Sequence, residues 1–275
     1  AMRAELAPAS DDEGGAHPGG WPPGGKQPEL LRVFPWAFTA ACCVLFAVPA
    51  WAELSLARDE ALSYFRSDRT DVVMIIPVLI CATHYVHMRQ RVPNKLAVMI
   101  TLIVPSLILF LCASGSRTAA VDKYDKLLSS SCDALPEKQA LQDSWEAAYT
   151  LYADCLEQTT KVSNYSVAQL MDKFRITDCE EWGAAYAGGR QQKEWNYLKY
   201  LETSHSCSGW CYPGVQLWST GIHKDSCAAV VSQLYRSHVA PRGSQVGTFM
   251  LVVLGAGIVA MMAFGPVLRN YDVEW

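Results

Sequence analysis

Apolar positions divide this chain. They gather into four runs, Val33–Ala52, Asp71–Met88, Leu96–Ser114 and Val246–Leu268, with polar sequence between them. A helix rises about 1.5 Å per residue, so roughly 20 residues cross the ~30 Å hydrocarbon core of a bilayer, and each run has that length. The third, LAVMITLIVPSLILFLCAS, carries no charge. Pro77 interrupts the second, which a membrane helix tolerates because neighbouring groups re-satisfy the freed carbonyl. In the fourth, Gly255, Ala256, Gly257 and Ala260 offer small side chains on which another helix can pack closely.

The polar stretches have a different period. Between Glu137 and Thr159, Leu141, Trp145, Ala148, Tyr149, Tyr152, Cys155 and Leu156 form one apolar stripe at 3.6 spacing. The same reading predicts shorter helices over Ser166–Arg175 and Arg190–Thr203, and a last one capped by Asp225 that leads into the fourth run. KYDKLLSS extends the third run beyond the membrane. The connector 53–70 places Leu54, Ala57, Ala61, Leu62 and Phe65 three or four apart, which predicts an amphipathic helix lying on the bilayer. Residues 1–30 are rich in Pro and Gly and poor in apolar side chains, the composition of a disordered tail. Ala50-Trp51-Ala52 resembles a signal-peptidase site, but the long apolar run behind a polar leader reads as an anchor that stays, with Trp36 and Trp51 at the interfaces.

Charge orients these elements. The turn 89–95 holds Arg89, Arg91 and Lys95 with no acid, so the positive-inside bias puts it in the cytoplasm. Both termini, including the tail 269–275, then lie on that side, and 118–243 lies outside. The net charge of −4, without a basic block, excludes nucleic acid as a natural partner. Six of the ten cysteines, Cys132, Cys155, Cys179, Cys207, Cys211 and Cys227, fall in 118–243. An even set on one side of a membrane reads as three disulfides in an oxidising compartment, and spacing leaves the pairing open. The expected fold is therefore an all-α membrane protein: four transmembrane helices with a large, disulfide-bonded, mostly helical extracellular loop between the third and fourth. Spans one to three lie within 31–117 and span four within 244–268.

This layout resembles the tetraspanin family, whose members share four spans, a small first outer loop and a large cysteine-bearing second one. The resemblance covers residues 31–268 and rests in detail on DCEEWG at 178–183, CSGWCYP at 207–213 and Cys227 opening a helix into the last span. The chain departs from the family in lacking its Cys-Cys-Gly motif and the proline of its second cysteine element. The resemblance implies that Cys227 ties back to a cysteine of the central motifs. It also implies a membrane organiser that associates laterally through its spans and recognises partners through the outer loop. Trp182, Trp195, Trp210, Tyr212 and Trp218, clustered near the central cysteines, are the expected recognition surface, since aromatic side chains dominate interface energetics. Their alternative role is to fill a thin disulfide core.

Other chemistry has less support. Cys207, Cys211, His205 and His223 have loose zinc spacing, but oxidised thiols cannot ligate a metal. His84 and His87 share a helical face near the cytosolic end of run two, where histidines meet lipid headgroups. Cys42 and Cys43 lie too deep for acylation, and Asn164-Tyr165-Ser166 is a glycosylation acceptor. No motif for nucleophilic, metal or nucleotide chemistry is present, so the chain reads as a non-enzyme without cofactor, beyond a bound lipid or sterol. Expected partners are membrane lipids, other integral membrane proteins and further copies of the chain. A structural subunit of a larger membrane complex and a channel or transporter component remain the alternatives.

Overall fold

The computed structural model describes residues 29–65, 71–90, 93–162, 166–171, 173–189, 191–220 and 223–269. The tail expected over 1–30, part of the connector and cytosolic turn, and Asn164 fall wholly or largely outside them.

The apolar runs are helical. α1 (Glu29–Ala57) carries the first, α2 (Glu60–Ser63) sits in the connector, and α3 (Asp71–Gln90) carries the second. α4 (Lys95–Leu128) carries the third and continues well past Ser114; at 1.5 Å per residue its 34 residues span about 51 Å, more than a bilayer core. The polar block then forms α5 (Pro136–Val162), α6 (Val167–Met171), α7 (Glu180–Gly188), α8 (Gln192–His205) and α9 (Cys227–Leu234). A π segment, Tyr235–Val239, joins α9 without a break to α10 (Ala240–Arg269). No strand occurs among the described residues. Three described stretches are long and apolar enough to cross a membrane: Arg32–Ala57, Lys95–Leu128 and Cys227–Pro266. Proline lies inside four of the long helices, at Pro35, Pro49, Pro77, Pro105 and Pro266. In water each would cost about 3 kcal/mol; a packed membrane helix bears it more easily.

α1 and α3 pack antiparallel. Phe34 and Phe38 meet the His87 ring at 5.3 and 5.6 Å, Thr39 Oγ1 hydrogen-bonds His84 Nδ1 at 2.8 Å, and Cys42 and Phe46 share an interior with Ile76 and Ile80. The two histidines therefore face α1, not headgroups, and His87 is fully buried. The hydroxyls of Thr83 and Thr101, both buried, hydrogen-bond to tie α3 to α4. Leu109, Met250 and Val253 complete the interior.

α4 and α10 are also antiparallel, and glycines set their approach. A Cβ on Gly243 would stand 3.1 Å from the Ala113 carbonyl oxygen, and one on Gly257 would stand 2.8 Å from Leu102 Cδ2. The buried face of α10 thus runs through Gly243, Gly247, Met250, Val253 and Gly257, three or four apart. Of the small residues singled out in the sequence, Gly257 packs on Leu102 of α4. Gly255 and Ala256 lie off that arc and are exposed, and Ala260 is half-exposed.

The π segment reconciles two faces. In α9 the core side is Ala228 and Val231, continuing to Tyr235, a face that an uninterrupted α-helix would carry to 242 rather than to Gly243. One extra residue, a rotation of about 100°, brings Gly243 and Gly247 onto α4 while Tyr235 stays in the lobe.

The connector departs from expectation. Ala61, Leu62 and Phe65 are buried in the core of the lobe, not laid on a bilayer. Phe65 stacks on Trp210 at 6.0 Å, Tyr64 on Tyr197 at 4.8 Å, and the hydroxyls of Tyr197 and Tyr235 donate to the carbonyls of Ala61 and Leu62. A four-residue helix has little propensity of its own, and these aromatic contacts hold it in place.

Gly243→Leu should separate α4 from α10 and lower the thermal midpoint in detergent, a loss of about 1–3 kcal/mol. Gly255→Leu should leave the midpoint unchanged, because no atom lies within 4 Å of its Cβ position.

Candidate functional site

The lobe between α4 and α10 is built on the six cysteines of 118–243, paired Cys132–Cys211, Cys155–Cys179 and Cys207–Cys227. The first closes a sequence separation of 79 and the others 24 and 20. Restricting the unfolded chain in this way stabilises by about 4–5 kcal/mol for the first and about 3 kcal/mol for each of the others. Cys227 pairs with a cysteine of the CSGWC element, which pins α9 to the central turn. With Cys207 and Cys211 both oxidised, the zinc alternative has no thiolate to use.

At the corner between α4 and α5, Lys138 is 0% exposed. Its Nζ donates to the carbonyls of Lys126, Ser129 and Ser131 at 3.2, 2.7 and 3.0 Å. A helix C-terminus and the turn after it leave these carbonyls without intrahelical donors; the Ser129 hydroxyl also donates to those of Lys126 and Ser131, and a cation there meets the negative end of the helix dipole. Burial lowers the lysine pKa, and nearby Asp133 opposes that shift. The Lys138 carbonyl in turn accepts from Trp210 Nε1 at 2.8 Å, and Gln142 Oε1 accepts from the Cys211 amide at 3.0 Å. One short stretch of α5 therefore holds both the end of α4 and the turn 207–213.

That turn is tight. Ser206 and Gly209 have φ of 54° and 68°. A side chain on Gly209 would stand 2.8 Å from the Gly214 amide nitrogen, so glycine is required there by both conformation and space. The Cys227 and Ala228 amides donate to the carbonyls of Gly209 and Trp210, carrying the turn into α9. Ser226, rather than Asp225, caps α9: its hydroxyl accepts from the Ala229 amide at 3.3 Å.

A second buried charge fixes the next loop. Glu202 on α8 is 2% exposed and accepts from the amides of Leu217, Trp218 and Ser219 and from the Ser219 hydroxyl, at 2.7–3.1 Å. Burial raises its pKa; the four donors pull it back.

The aromatic residues expected to form a recognition surface do the opposite. Trp182, Trp195, Trp210 and Trp218 are 9, 6, 0 and 4% exposed. Trp182 lies 4.9 Å from Trp195 and 6.3 Å from Trp218, and the Trp195 indole donates to the Ser144 carbonyl. The tryptophans fill the core of the lobe beside Leu141, Leu198, Leu201 and Leu217. Tyr212 alone of the five is exposed, at 58%, with its hydroxyl donating to the Ser130 carbonyl at 2.7 Å. Further exposed apolar side chains lie at the end of α5, Val162, and on α6, Val167 and Met171. Beside them a shallow depression of about 360 Å³ is lined by Leu156, Thr160 and Val167. Of the remaining cysteines, Cys42 is buried, whereas Cys43, Cys81 and Cys112 are exposed on their helices.

Lys138→Met should remove the donor from three carbonyls and destabilise the lobe by about 2–4 kcal/mol, read as a lower denaturant midpoint with disulfides intact. Glu202 sets a pH dependence. Its folded pKa lies above the unfolded 4.5, so its contribution is fully present below pH 4.5 and is lost as pH rises through the folded pKa. The difference in stability between the wild-type protein and Glu202→Gln should therefore shift against the wild type as pH rises from about 4 to 7. No family model, curated protein or solved structure matches this chain.

Proposed function

We propose that this chain is a tetraspanin-like membrane organiser, with α3 as its fourth span, both termini cytoplasmic and the lobe outside. The supporting observation is continuity: α4, and α9 through α10, run unbroken from apolar membrane-length segments into the lobe. Three disulfides and the docked connector hold the lobe on those helices. A protein gripped by such a lobe is held at a set height and angle above the helices that carry it. The antiparallel packing of α3 on α1 and its tie to α4 support the fourth crossing. In this reading recognition uses Tyr212 and the edge Val162, Val167 and Met171, while the exposed Gly255 and Ala256 on α10 serve lateral contacts with other spans.

The test is cross-linking of the tagged full chain in membranes before solubilisation. An organiser yields several membrane proteins, each below one-to-one stoichiometry, together with self-cross-links. Val167→Glu and Tyr212→Ala should each cut recovery of those proteins severalfold at equal abundance of the bait. A single partner at fixed stoichiometry would make the chain a structural subunit instead. Ion or solute flux in liposomes holding only this chain would make it a channel or transporter component.

A further inference from the structure

The three disulfides differ in access. Cys207 and Cys227 are 0 and 2% exposed, and Cys179 is 5% exposed beside a half-buried Cys155. Only in Cys132–Cys211 are both residues half-exposed. Thiol–disulfide exchange begins with a thiolate reaching one sulfur along the S–S axis, so access orders the rates. This bond also joins two segments that have other attachments. Residues 207–210 stay held by Cys207–Cys227 and by the Gly209 and Trp210 carbonyls, and the α4 corner stays held by Lys138. Beyond them, Cys211 and Tyr212 keep the Cys211 amide bond to Gln142 and the Tyr212 hydroxyl bond to Ser130.

We propose that Cys132–Cys211 is a reducible clasp, the site of action of a dithiol reductant, and that it controls how Tyr212 is presented. In the reaction, one thiolate of the reductant attacks a sulfur of the pair. The Cys132–Cys211 bond breaks, a mixed disulfide forms, and the other cysteine leaves as a thiolate. The reductant's second thiol then displaces the remaining cysteine. The reductant ends as its own disulfide, and the two cysteines carry the two electrons and, once protonated, two protons. Opening the clasp leaves the tip at Cys211 and Tyr212 held by hydrogen bonds alone, and so loosens it while leaving the core of the lobe in place. The chemistry does not depend on the organiser reading; only the effect on partner binding does.

The experiment uses the full chain in nanodiscs. Free thiols at Cys42, Cys43, Cys81 and Cys112 are blocked first; dithiothreitol is then added in steps, and new thiols are alkylated and located by mass spectrometry. Cys132 and Cys211 should label together, on the order of tenfold or more faster than Cys207 and Cys227. Amide exchange should rise at 211–214 and stay unchanged in α5 and α8. First labelling at Cys155 and Cys179, or simultaneous labelling of all six, overturns the proposal. So does early labelling of Cys132 and Cys211 without any change in exchange at 211–214. Cys132→Ser with Cys211→Ser should reproduce the loosened tip; if that variant fails to fold, the stepwise reduction of the wild type still decides. If the reductive order holds but cross-linked partners do not change on reduction, the clasp stands and its link to recognition falls.

Discussion

Much of the lobe depends on one ammonium group. The corner where α4 gives way to α5 leaves carbonyl oxygens at the end of a 34-residue helix without intrahelical donors. Lys138 reaches back and serves three. Removing that cation from water is costly, and only several short bonds at a helix C-terminus offset the cost. The same residue's carbonyl receives the Trp210 indole, so the group that ends the membrane helix also anchors the buried turn of the lobe. Phe65 stacks on that indole, which places the connector as well. Corner, turn and connector thereby meet at neighbouring positions of one shared core.

Glu202 works similarly with the opposite sign. A carboxylate turned inward gathers three successive amides and a hydroxyl, and so shapes a loop that has no regular structure. Two isolated buried charges, each satisfied by backbone, define what tryptophans and disulfides then fill in and lock.

What the sequence revealed follows from which signals are local. Three of the apolar runs were legible as membrane-length helices because hydropathy summed over about 20 residues outweighs any single position. The long stripe from Leu141 to Leu156 was legible for the same reason of repetition. The docking of Phe65 and Leu62 was not, since amphipathic spacing reports that a face is apolar without saying what covers it. Composition could not place the tryptophans: aromatic residues near cysteines suit an interface and a thin core alike, and burial separates the two. Lys138 carries no local signal, because it looks like any exposed lysine in the first turns of a polar helix. Gly243 and Gly247 did carry one, a spacing of four, but they sit at the polar edge of the run, where it is weaker than the cluster at Gly255 and Gly257. The pairing of Cys207 with Cys227, by contrast, is the kind of link the tetraspanin resemblance implied.

The π segment has a mechanical consequence. Because Tyr235–Val239 widens the helix instead of ending it, α9 and α10 form one shaft clamped on either side of that segment, by Cys207–Cys227 and by the Gly243 contact with α4. A shaft fixed in this way transmits torsion. Any neighbour that turns α10 about its long axis within the bilayer must turn the outer turn of the lobe with it, or release the stress by resolving the wide helical turn into a regular one. The extra residue is thus a spring of defined position, wound between the lobe and the apolar helix that leaves it.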